Sequence, residues 1–193
     1  AILFQRQDSS SRDPGQGSDG VKRRDRQVQG WPRRKPRPAK KAHGRFNPLQ
    51  ITEEMNIYFA CSITGGREFE SVYQVIVRTL AEDGHEVPTA HLAQSGITMV
   101  EAVIDPREVY ERDTAWIRAC DALIAEVSVP SHGVGYEIGF ALELGKPVLG
   151  LYQTGRKVSK MISGNPHPNL TVKAYQNTTE AAELARKFTS QRG

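Results

Sequence analysis

From Asn56 onward, short apolar runs alternate with stretches of helical period, and this alternation restricts the fold more than any other feature of the chain. Residues 56–62 form an apolar run that leads into Ser62-Ile63-Thr64-Gly65-Gly66-Arg67. Residues 68–82 carry helical spacing through Val72, Val75, Ile76, Thr79 and Leu80, and Gly84 ends them. Residues 86–89 read as a second strand. Asp105 and Pro106 open a helix to about Ala119, with Asp as cap and Pro in the first turn. Residues 122–127 read as a buried strand, 135–144 as a helix closed by Gly145, and 147–151 and 170–174 as two further strands. Asn177 caps a last helix, with Glu180 three residues on. Five strands with helices between them predict an α/β fold: a five-stranded parallel sheet with helices on both faces, Rossmann-like or flavodoxin-like. Such sheets bind ligands at the carboxyl ends of their strands, near the switch in strand order. The loops at 62–67, 90–94, 128–135 and 152–159 therefore carry the expected site.

Residues 1–54 are of another kind. They hold 13 Lys/Arg against 6 Asp/Glu, whereas residues 55–193 hold 13 against 16. The sequence pI near 9.1 thus belongs to the leader, and nucleic acid is not an expected partner of the acidic remainder. Residues 9–45 are rich in Arg, Lys, Pro, Gly and Ser and have too few apolar side chains to bury, so a disordered basic leader is expected. It reads as an organelle transit segment, a nuclear-localisation patch at Arg33-Arg34-Lys35, an electrostatic arm, a solvated tail, or sequence upstream of a start at Met55, the first methionine. The domain division is then 1–54 and 55–193. Cys61 and Cys120 have no CxxC neighbour and the five histidines are scattered, so neither a zinc site nor a disulfide framework is expected. A reducing compartment, cytoplasmic or nuclear, follows. No apolar run approaches the roughly 18–20 residues that a membrane span requires.

Three groups of residues can carry chemistry. The two glycines of the 62–67 loop let backbone N–H groups approach a ligand ahead of a helix N-terminus, although a plain turn is an equal reading. Ser131-His132-Gly133-Val134-Gly135-Tyr136-Glu137 follows a buried strand and opens a helix, which suits an anion. Glu137 is expected in the first turn, where the helix dipole favours its ionised form. An ionised carboxylate beside a sugar can act as a glycosidase nucleophile, or it can simply complement the dipole. Asp113 falls on the stripe of Val109, Trp116 and Cys120, where a carboxylate needs a partner, such as an arginine or an amide, or a role as acid or base. His91, after the second strand, reads as a surface or hydrogen-bonding residue rather than a catalyst, and Tyr58 as core packing.

Together these residues resemble the 2′-deoxynucleoside 5′-phosphate N-hydrolase family, relatives of the nucleoside 2-deoxyribosyltransferases. The likeness covers roughly residues 55–163. It rests on Tyr58-Phe59 with Ser62-Ile63 and Gly65-Gly66-Arg67, on Glu111-Arg112-Asp113 with Trp116 and Asp121, and above all on Ala125-Glu126-Val127 followed by Ser131-x-Gly133-Val134-Gly135-Tyr136-Glu137-x-Gly139. The resemblance implies Glu137 as nucleophile, Asp113 as acid–base helper and Tyr58 lining the sugar and base pocket. It implies substrate contacts from the first loop (Cys61, Ser62, Ile63, Thr64, Gly65, Gly66, Arg67), from His91 and Gly133, and from Ser131 at the 5′-phosphate. Ser159, in Val158-Ser159-x-Met161, matches a serine that reaches the phosphate of the neighbouring subunit, so a homodimer with shared sites is implied. Cys61 and Thr64 depart from the family, which usually has Gly and often Arg there.

The reaction implied is hydrolysis of a 2′-deoxynucleoside 5′-monophosphate through a glycosyl-enzyme, with net retention and with no metal or organic cofactor. A deoxyribosyltransferase, a ribonucleoside 5′-monophosphate N-glycosidase and a non-enzymatic nucleotide-binding module are the rival readings.

Overall fold

The structure, a computed structural model, describes residues 53–192. The leader through residue 52, with every targeting and disorder expectation attached to it, lies outside the described residues. Four parallel strands form the sheet in the order β1 (Ile57–Ala60), β2 (Ala122–Glu126), β3 (Val148–Gln153) and β4 (Leu170–Tyr175). Buried on both faces, β1 and β2 read as continuous apolar runs rather than alternating ones, as parallel strands do. α1 (Glu70–Glu82) and α6 (Thr178–Ser190) pack on one face around Ile57, Phe59, Ile124 and Leu149. α3 (Pro106–Ala119) and α4 (His132–Glu143) cover the other around Tyr58, Ala60, Leu123 and Ala125.

The expected second strand is reduced to one bridge, Asn56 to Glu86. Its ladder begins correctly: the Glu86 N–H donates to Met55 O at 2.8 Å and the Ile57 N–H to Glu86 O at 2.7 Å. The next donor on that strand would be residue 88, which is proline and has no N–H. The Phe59 N–H turns instead to the Thr89 hydroxyl at 2.9 Å, and the chain tightens into a 3₁₀ turn at Ala90–Ala93. The sheet therefore has four strands, not five. The stub at Glu86 still lies on the far side of β1 from β2, so strand order reverses between β1 and β2. The carboxyl ends of those two strands flank the switch point, where sheets of this kind place their ligands.

The caps at Asp105 and Asn177 are as the sequence predicts, accepting from Arg107 N at 2.9 Å and Glu180 N at 3.0 Å. α4 begins three residues before the expected start, because Ser131 caps it by accepting from Val134 N at 3.4 Å. Gly133 and Gly135 are thus helical. Two short helices that no periodicity announces complete the chain, α2 (Ile97–Glu101) and α5 (Lys160–Ser163). No helix among the described residues is long and apolar enough to cross a membrane.

Candidate active site

β1 presents Tyr58 to the α4 face of the sheet, and α4 lays Glu137 over it. The Tyr58 hydroxyl donates to Glu137 Oε1 at 2.6 Å. Tyr58 is fully buried, and burial followed by the charges of Glu137 and Asp113 pushes its own ionisation far upward, so it remains a donor. The early start of α4 puts Glu137 in the second turn, not the first. Its electrostatics differ from the expectation accordingly: burial dominates, and its pKa rises to about 7 from an ordinary 4.5. The Tyr58 hydrogen bond and the Arg112 charge hold it down, while Asp113 pushes it up. At neutral pH the carboxyl is near its titration midpoint.

Glu137 opens into a cleft of about 470 Å³ that Asp113 also lines, together with Cys61, Thr64, Glu101 and Arg112. Asp113 is 16% exposed and accepts from the Arg112 Nε at 2.8 Å. The same guanidinium grips both oxygens of Glu101 at 3.1 and 3.2 Å and lies 5.1 Å from the centre of the Trp116 ring. The arginine partner expected for an apolar-stripe Asp is therefore present, and the carboxyl still faces the cleft. Through Arg112, α2 is clamped onto α3 as one wall. Among the described residues no group of three or more His, Cys, Asp or Glu is arranged to hold a metal ion.

A second cleft, of about 730 Å³, adjoins the first, sharing Thr64, Ser131 and Val134 with it. Its wall includes Gly65, His132, Lys157, Ser159 and Asn165, and it runs along the N-terminal half of α4. A paired-carboxyl chamber joined to a chamber of hydroxyls, glycine backbone and a helix N-terminus can hold a glycoside at one end and an anion at the other.

A family model described as nucleoside 2-deoxyribosyltransferase matches residues 57–182. The chain belongs to the nucleoside 2-deoxyribosyltransferase family. A mouse relative named 5-hydroxymethyl-dUMP N-hydrolase is 45% identical over 113 residues, 56% of this chain and 65% of the mouse protein. A Methanosarcina barkeri relative, provisionally named 2′-deoxynucleoside 5′-phosphate N-hydrolase 1, is 40% identical over 142 residues, 72% of this chain and 89% of its own. Among solved structures, the Clostridium botulinum CMP N-glycosidase BcmB superposes with a TM-score of 0.55 at 22% identity, covering 69% of this chain and 98% of that one. BlsM gives 0.57 at 20% identity, covering 70% and 90%. The two superpositions show a common fold.

Within this deoxyribosyltransferase-family frame, the structure divides the sequence-predicted site residues into two sets. Glu137, Asp113, Cys61, Ile63, Thr64, Ser131 and Gly133 line the carboxylate cleft, and Gly65 and Ser159 line its neighbour. Tyr58, Ser62, Gly66, Arg67 and His91 line neither. Tyr58 lies behind Glu137 and orients it. Ser62 is fully buried. Arg67 turns inward and ties the loops together, donating to Leu92 O at 2.9 Å and Gln94 O at 3.1 Å. His91 backs the α2 wall, its Nε2 3.8 Å from Glu101 and its ring edge-on to Trp116. Gly65 is required by packing: a Cβ there would meet Ser62 Oγ at 2.7 Å and Pro130 O at 2.8 Å, so its absence lets the two glycine-bearing loops touch. Cys61 has its thiol pushed up to about 12, chiefly by burial, and is inert as a nucleophile. Sequence reasoning did not single out Glu101. Residues 95–104 carry neither a cap nor a clear period, so nothing marked Glu101 as the partner of Arg112.

Proposed function

We propose that this chain hydrolyses the N-glycosidic bond of 2′-deoxynucleoside 5′-monophosphates, releasing a free base and 2-deoxyribose 5-phosphate. The observation that carries the reading is Glu137: a carboxyl tuned to about 7, fixed by one hydrogen bond from Tyr58 and opening into a cleft that Asp113 shares. Its ionised form attacks C1′ as the base departs through an oxocarbenium-like transition state. Asp113 helps protonate the departing base or takes the proton of the water that cleaves the glycosyl-enzyme, giving net retention. The anion-suited chamber beyond Ser131 supports a 5′-phosphate over a free nucleoside, and the names of the mouse and archaeal relatives agree with that substrate class.

A panel of deoxy- and ribonucleoside monophosphates, incubated with and without an added free base, tests the reading. Free base released from deoxynucleotides without an acceptor is the expected result. Turnover only in the presence of a second base would mean transfer instead, and turnover confined to ribonucleotides would move the substrate class.

The reading includes a homodimer in which Ser159 reaches the phosphate of the neighbouring subunit. Tyr110 and Tyr136, 55% and 49% exposed, form with Phe140 an aromatic face on α3 and α4, and Met161 beside Ser159 is 83% exposed. Such surfaces favour a partner over water. Mixing a Glu137→Gln chain with a Ser159→Asp chain decides it: trans sites restore one complete site per heterodimer, whereas cis sites restore none.

A further inference from the structure

The two adjoining clefts have opposite electrostatic character. The chamber of Glu137 also carries Asp113 and Glu101, and its one guanidinium, Arg112, is already engaged by both of those carboxylates. The adjoining chamber has no carboxylate in its wall, and it has Lys157. Among the described residues Lys157 forms no ion pair. Its neighbour in sequence, Arg156, is taken up by Glu68 and the Phe69 ring. Arg67, after the first loop, is spent on Glu70 and on the backbone carbonyls of Leu92 and Gln94. A phosphomonoester dianion entering this composite cleft is repelled from the three-carboxylate end and attracted to the other, where one uncommitted ammonium stands beside the hydroxyls of Ser131 and Ser159 and the N-terminus of α4.

We propose that Lys157 is the specificity-determining cation of the site: it binds the substrate's 5′-phosphate and so sets both the preference for a monophosphate and the direction in which the nucleotide lies, C1′ toward Glu137. This rests on the hydrolase reading above. Neutral donors alone would bind a dianion weakly, and Thr64, which also lines the cleft, supplies no charge. An ammonium on a flexible stem suits this task, since it acts as a point charge and needs no fixed fork geometry. The chamber is built within one chain, so the proposal takes Lys157 from the same chain as Ser131, and it stands whether or not a partner's serine also reaches the phosphate.

The deciding number is the ratio of kcat/KM for a deoxynucleoside monophosphate to kcat/KM for the matching unphosphorylated deoxynucleoside, measured on the purified full chain. Lys157→Met should lower that ratio about tenfold, through a higher KM for the monophosphate, and should weaken competitive inhibition by inorganic phosphate to a similar degree. Lys157→Arg should restore most of both. A fall of about fivefold or more in the ratio sustains the proposal, and a smaller one overturns it. The wild-type ratio is read first. If the wild-type chain does not prefer the monophosphate, the nucleotide reading itself fails. If it does and Lys157→Met keeps the preference, only the role of Lys157 fails. Lys157 is exposed, and the melting temperature of each variant identifies any loss that comes from unfolding.

Discussion

Two carboxylates, eleven residues apart in the sequence and on opposite faces of the same sheet, are raised by burial, yet only one is placed to react. Glu126, at the end of β2, is fully buried on the α1 and α6 side. Its Oε1 accepts from the Ser128 N–H at 3.2 Å, from the Ser128 hydroxyl, and from the Tyr175 hydroxyl at 2.9 Å. Those contacts tie β2 to β4, and through the Gln153 N–H on Ser128 Oγ at 2.7 Å they tie in β3 as well. Glu137 has one such tether, from Tyr58, and it reaches a cleft. A raised pKa by itself therefore does not mark a nucleophile. What separates the two is how many donors hold the carboxyl and whether anything can approach it.

The sharpest way to test that contrast is to neutralise Glu137. Glu137→Gln should cut kcat by on the order of 10⁴-fold or more, since the bond-forming oxygen is lost. It should also raise stability in alkaline buffer. The folded pKa lies near 7 and the ordinary value is 4.5, so the wild-type chain loses stability as pH climbs between those two values and is level above them. The glutamine variant escapes that loss, so its melting temperature should exceed wild type at pH 8 and converge with it toward pH 4.5. Equal melting curves at both pH values would contradict the buried, raised carboxyl.

Asp113→Asn should come next, lowering kcat by about 10²- to 10⁴-fold. Because the Asp113 charge raises Glu137, the acid limb of kcat/KM, near 7 in the wild type, should move to lower pH in this variant. A smaller loss of turnover, with an opposite and larger shift of the acid limb, is expected of Tyr58→Phe. It removes the hydrogen bond that holds Glu137 down, so the acid limb should move up, with a loss of about tenfold near pH 6 that largely disappears above about pH 9. A pH-independent loss in Tyr58→Phe would mean that the hydroxyl serves packing alone.

Glu126→Gln should have the least effect on turnover, with kcat/KM within about threefold of wild type, and should cost about 1–3 kcal/mol of stability. Glu126 Oε2 has no hydrogen-bond partner, and the amide would put donors at that buried place. A collapse of activity in a well-folded Glu126→Gln chain would erase the distinction between the two carboxylates.

Much of this was legible in the sequence, and each failure has a definite cause. The apolar runs of β1 and β2 and the capped starts of α3 and α6 identified themselves, because burial and capping leave local marks. The fifth strand was misread because Val87 and Thr89 suit a strand, while one proline between them removes the donor that pairing needs. The start of α4 was misread because Gly133 and Gly135 look like loop, although Ser131 caps the helix ahead of them. Asp113 was legible as a carboxyl out of place on an apolar stripe. The Tyr58 tether was not, since it joins residues 79 apart in the chain and only the fold brings them together. The α2 wall left no mark, being five residues long with exposed Met99 and Val100.

The proline that ended the fifth strand has a further consequence, for how copies of this chain can meet. β1 is an outer strand of the sheet, and an outer strand with open N–H groups is a template for continuing the sheet into another molecule. Here the outward amides of Ile57 and Phe59 are already filled, one by a single backbone bridge and the other by a threonine side chain. The segment that fills them curls away into the 3₁₀ turn at Ala90–Ala93 before it can offer an edge of its own. On the opposite border, β4 exposes Lys173, a charge that disfavours strand addition. Among the described residues the β1 border of the sheet is thus blunted against strand exchange and fibrillar stacking.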